Sequence, residues 1–130
     1  MFVKILLMLS QRADVFVTGT DTGVGKTFAS AALLAALNAD GSRVLGMKPA
    51  ASGCEIGSAG WRSADAELLR TAGAQPPPDY SLSNPYALPE AVSPHIAAAA
   101  LGIEIEIGPI RAAYAELAAQ CDHVIVEGVG

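Results

Sequence analysis

The sequence predicts an α/β fold: a mostly parallel sheet flanked by helices. Short β-branched runs alternate with longer Ala/Leu-rich runs, and glycines and prolines mark most of the boundaries. Each of three buried-strand candidates is followed by residues capable of chemistry, the place where ligands bind in such folds. At 130 residues the chain is the size of one domain. It is 52% hydrophobic and 16% charged, but aromatics supply only 5%, so the core must come from Ala, Val, Ile and Leu. The formal charge of -5 argues against a general affinity for nucleic-acid phosphates or anionic membranes, so an anionic ligand needs local donors.

Residues 2–9 form an apolar run with one lysine, Lys4. It is too short to span a bilayer, which takes about 20 residues. Ser10-Gln11-Arg12 offers no small-residue cleavage site, so the chain reads as cytoplasmic and residues 1–13 as an N-terminal extension. Residues 14–18 (DVFVT) read as a buried strand ended by Gly19. Residues 26–39 predict a helix stopped by Gly41, apolar almost all round and so expected to be buried on more than one side.

A second strand is expected over 43–47, ended by Lys48-Pro49. Residues 50–62 read as loop, 64–72 as a helix stopped by Gly73, and Pro76-Pro77-Pro78 as a stiff extended link. Ser93 followed by Pro94 predicts an N-cap and a helix to Leu101. Residues 103–107 alternate like a strand, 109–120 read as helix, and 123–126 as a third buried strand.

The strongest motif is residues 19–27 (GTDTGVGKT). A strand-to-helix turn of this kind aims backbone N–H groups and a helix N-terminus at one point, which suits a polyphosphate. Gly23 and Gly25 permit close backbone approach, Lys26 can reach the outer phosphates, and the Thr27 hydroxyl can ligate magnesium. Glu127 ends an apolar strand, where a single carboxylate can serve a magnesium ion. Asp65 reads first as an acid favourably placed at a helix N-terminus, and Lys48 suits either a solvated strand end or a functional role. Cys54 and Cys121 read as passive thiols, His95 as a solvent-facing residue of a first helical turn, and Trp61 and Tyr86 as packing residues.

Together, 16–27 (FVTGTDTGVGKT), 47–53 (MKPAASG), 63–68 (SADAEL), 84–96 (NPYALPEAVSPHI) and 124–130 (VIVEGVG) resemble the dethiobiotin synthetase family, in its order and at about its spacing. The resemblance runs from residue 14 to the end and implies a P-loop NTPase-like domain, residues 14–130 being its N-terminal part. It implies ATP, CO₂ and the diamino fatty acid 7,8-diaminononanoate as substrates, Mg²⁺ as cofactor, and a homodimer at full length. By similarity, Gly23, Val24, Gly25, Lys26, Thr27 and Phe28 wrap the phosphates, and Thr27, Asp65 and Glu127 hold the metal. Lys48 and Lys26 are the catalytic pair, Thr22 and Ser52 contact the substrate, and Asp65, Glu127, Gly128, Val129 and Gly130 border the nucleotide.

The chain departs from the family at Gly23, often glutamate, and at Val129-Gly130, where an Ala-Gly-Gly run is usual. Family members also continue well past this point, so the sheet is expected to be truncated on its C-terminal side and the chain alone to be unstable or inactive. A partitioning-type ATPase would carry a lysine where this chain has Asp21, and a cobyrinate-type amidotransferase would need a glutaminase domain. An inactive nucleotide-binding remnant is the third alternative.

Overall fold

The computed structural model describes residues 3–9, 13–20 and 25–129. Its elements are β1 (Val3–Leu9), β2 (Ala13–Gly19), α1 (Lys26–Ala39), β3 (Val44–Met47), β4 (Ala50–Ala51), β5 (Glu55–Gly57) and β6 (Gly60–Arg62). They continue with α2 (Ala64–Ala72), α3 (Tyr80–Ser83), β7 (Tyr86–Ala87), α4 (Pro94–Ala100), α5 (Ile107–Ala119) and β8 (His123–Glu127). The main sheet runs in the order β1-β2-β8-β3. Strands β2, β8 and β3 are parallel, with Val15 opposite Ile125 and Val44 opposite His123, and β1 adds an antiparallel edge.

Strand alternation sorts the core onto two faces. On one, Val15, Val17, Val44 and Ile125 pack with Leu34 of α1 and Leu69 of α2. On the other, Leu45, Met47 and Val124 pack with Ala113 and Leu117 of α5. Gly46 lies on the first face, where a Cβ would stand 2.8 Å from Leu69 Cβ and 3.0 Å from Leu34 Cδ1. A side chain there would push both helices off the sheet, so the glycine sets their approach.

Asp14, at the start of β2, is buried, and its Oδ1 accepts from the Val124 N–H at 2.7 Å while Oδ2 accepts from the Tyr114 hydroxyl. One carboxylate thus ties β2 to the start of β8 and to α5.

Several expectations need correction. Helix α1 is buried along one stripe only, Lys26, Ser30 and Leu34; the alanines on its outer side are there for helix propensity, not for a second packing face. The loop over 50–62 contains the β5–β6 hairpin and β4, which pairs with β7 in a small parallel ladder. Residues 103–106 form no strand: they have no ladder partner, and Tyr86 Oη accepts from the Glu106 N–H instead. Trp61 is exposed on the hairpin and is not a core residue. Ser93 occupies the N-cap position with Pro94 in the first turn, but its hydroxyl makes no capping bond; its carbonyl accepts from Ile96 and Ala97. Cys54 and Cys121 are both free thiols, and burial pushes the Cys54 pKa up, as a passive residue requires. Among the described residues, no helix is long and apolar enough to cross a membrane.

Candidate nucleotide and phosphoryl-transfer site

The carboxyl ends of the three parallel strands converge because β8 lies between β2 and β3. Helix α1 opens from its N-cap Gly25, whose φ of 86° lies in the left-handed region. A Cβ there would meet nothing within 4 Å, so glycine is required by conformation and not by space. Lys26 and Thr27 follow in the first turn, with Lys26 buried.

Lys48 directly follows β3, Glu127 is the last residue of β8, and Asp65 sits in the first turn of α2. The Lys48 Nζ donates to Glu127 Oε1 at 2.9 Å and to Asp65 Oδ2 at 3.0 Å. The Thr27 hydroxyl donates to the same Glu127 oxygen at 2.7 Å. Glu127 is 1% exposed, and its second oxygen, Oε2, has no hydrogen-bond partner among the described residues. Burial pushes the Lys48 pKa down, but the two carboxylates outweigh it, so the net shift is upward and the ammonium stays charged. The solvated-lysine reading of Lys48 is therefore overturned.

A cavity of about 730 Å³ opens over these groups. Its floor holds Gly25, Lys26, Thr27, Lys48, Asp65 and Glu127, with Ser52 beside them and Phe28 and Val129 also lining it. Phe28 is 78% exposed. Gly128 lines no part of the cavity; a Cβ there would lie 2.8 Å from Phe16 Cζ, so its smallness serves the strand end. Thr22, Gly23, Val24 and Gly130 lie outside the described residues. The segment Ala91, Val92, Ser93 and Pro94 forms another part of the lining. Sequence reasoning took Ser93-Pro94 only as a helix start; the clue lay in its place within the resembling 84–96 stretch.

A parallel sheet whose central strand ends in a carboxylate, beside a glycine N-cap leading into Lys-Thr at a helix start, defines a P-loop nucleotide-binding domain. Comparison with known proteins carries this further: residues 13–130 match the family model described as an AAA domain, and the chain belongs to that family. It is 52% identical over 118 residues to an ATP-dependent dethiobiotin synthetase BioD of Xylella fastidiosa (strain Temecula1), covering 91% of this chain and 52% of that protein. A protein of the same name from Xanthomonas axonopodis pv. citri is 52% identical over 120 residues, covering 92% and 53% respectively. Another, from Xanthomonas campestris pv. campestris (strain B100), is 53% identical over 115 residues, covering 88% and 51%. The chain spans about half the length of the curated relatives it matches.

Proposed function

We propose that this chain carries the phosphate and metal site of an ATP-dependent dethiobiotin synthetase acting in biotin biosynthesis. The observation that carries the reading is the convergence of Thr27 and Lys48 on the buried Glu127, with Asp65 also bound to Lys48, in the lining of one cavity. The names of the relatives supply ATP and the product, dethiobiotin, and the family likeness supplies the diamine and CO₂.

In the proposed reaction, one amine of 7,8-diaminononanoate takes up CO₂ and loses a proton, giving a carbamate. A carbamate oxygen attacks the γ-phosphorus of ATP, and the bond to the β-bridging oxygen breaks, releasing ADP. The second amine then attacks the carbamoyl carbon, phosphate departs, and the cyclic urea closes.

The chain's part is positioning and charge stabilisation. The backbone leading into α1 and the Lys26 ammonium hold the phosphates, as the geometry after Gly25 allows. Lys48, held cationic by its two carboxylates, offsets negative charge on the transferring group and does not act as a base near neutrality. Thr22 and Ser52 are assigned to the substrate by family likeness, and Ser52 lines the cavity.

The residues also fit a magnesium ion. Two carboxylates and a hydroxyl offer oxygen to a hard cation, and Glu127 Oε2 is buried without a partner among the described residues. Thr27, Asp65 and Glu127 would hold it. When bound, it would supply positive charge to the β- and γ-phosphate oxygens. Family likeness supports a cytoplasmic homodimer at full length.

Phosphate release from ATP is measured for a full-length version of the protein, with and without the diamine and bicarbonate. Release that requires both supports the synthetase; release without the diamine points to another ATPase. Replacing Lys48 with Ala should lower turnover far more than it weakens ATP binding. Equal loss of both would remove Lys48 from its assigned role.

A further inference from the structure

Lys48 and Asp65 stand on separate connections, one after β3 and one at the start of α2, yet a buried chain of hydrogen bonds joins them from behind. The Ser63 N–H donates to Tyr80 Oη at 2.7 Å, and the Tyr80 hydroxyl donates to Asn84 Oδ1 at 2.8 Å. Asn84 Nδ2 donates to the Lys48 carbonyl at 2.7 Å and to the Tyr86 carbonyl at 3.2 Å. The Lys48 N–H donates to the Ser83 carbonyl at 2.7 Å, so both sides of the Lys48 residue are held by the α3 turn. Ser63 in turn caps α2, its hydroxyl accepting at 3.3 Å from the N–H of Ala66, the residue after Asp65. Tyr80 and Asn84 are buried, and the Arg62 guanidinium lies 3.9 Å from the centroid of the Tyr80 ring.

We propose that Tyr80 and Asn84 are positioning residues of the site: the relay Ser63–Tyr80–Asn84–Lys48 fixes the spacing between Lys48 and Asp65. Neither lines the cavity that Lys48 and Asp65 share, so they act through the two residues they tie. The proposal rests on the reading that Lys48 serves phosphoryl transfer. Buried polar groups joined in series stay ordered only while every member is paired, so loss of one link is felt at the other end.

The test uses two variants of the full-length protein. Tyr80→Phe keeps the ring and removes the hydroxyl; Asn84→Asp keeps the acceptor for Tyr80 and removes the donor to Lys48. Each should lower kcat by roughly tenfold, the loss usual for groups that orient an active-site residue, with KM for ATP within about twofold. The double variant should fall short of the product of the single losses. Amide hydrogen exchange at Ser63 and Lys48 should quicken in both single variants. As a control, Val15→Ala opens the core on the sheet face away from α3 and should leave kcat nearly unchanged.

Unchanged kcat in Tyr80→Phe, or an equal kcat loss in Val15→Ala at the same drop in Tm, would overturn the proposal. Absence of diamine-dependent turnover in the parent protein would be a failure of the functional reading, and amide exchange would then decide the relay alone. Faster exchange at Ser63 with Lys48 untouched in Tyr80→Phe would refute it; coupled acceleration would support it.

Discussion

Glu127 is the residue on which two others depend. It is 1% exposed, and its Oε1 receives both the Thr27 hydroxyl and the Lys48 ammonium. Removing it leaves a buried ammonium with only the half-exposed Asp65 as partner. Breaking a buried pair in this way costs about 3–5 kcal/mol, whereas an exposed partner is worth about 1 kcal/mol or less. Glu127→Ala is therefore expected to lower the urea midpoint well beyond Asp65→Ala, with equilibrium unfolding as the check. Equal losses would mean that Lys48 draws its stability from elsewhere.

The sign of the pH dependence follows from the same contacts. The folded Lys48 pKa is raised, although burial opposes the two carboxylates. Its contribution to stability is thus fully present below the unfolded value of about 10.4 and is lost as pH rises through the higher folded value. The Lys48 Cε carbon signal should show no titration between pH 7 and about 10. A midpoint below the ordinary lysine range would contradict the pairing.

At the scale of elements, glycine marks where helices meet the sheet. Gly46→Ala would force a Cβ to 2.8 Å from Leu69 and 3.0 Å from Leu34, an overpacking expected to cost about 1–3 kcal/mol. Gly108→Ala, within α5 and with nothing within 4 Å of its Cβ, should stabilise by roughly 0.5–1 kcal/mol. Thermal melts of the two should move in opposite directions. The Ala64–Ala72 and Lys26–Ala39 helices were legible in the sequence because a glycine stop closes each within a few residues and a start signal opens it. The β4–β7 ladder and the 50–62 hairpin were not, because their strands are two or three residues long and their partners lie far off or carry no turn signal beyond Gly and Ser. Residues 103–107 show the opposite failure: alternation alone suggests a strand, but residues 103–106 join no ladder among the described residues, and Ile107 opens α5.

For the site, Lys26, Thr27 and Glu127 could be read from strand-then-motif order, since a parallel sheet brings its strand ends together. Asp65 and Lys48 could not be separated from bland surface residues without resemblance or coordinates, because their pairing depends on α2 packing beside β3. Tyr80 and Asn84 escaped notice for the same reason: a buried relay between two loops has no spacing signature.

For the molecule as a whole, core layers on both faces of the sheet set three strand ends side by side, and a cavity of about 730 Å³ is lined by residues that follow them. The structure of the protein with a non-hydrolysable ATP analogue and magnesium is the most direct measurement. The account predicts the triphosphate against Gly25, Lys26 and Thr27, with Lys48 Nζ and the Glu127 carboxylate facing its terminal phosphate. A triphosphate bound elsewhere, or Glu127 turned away from it, would contradict the account.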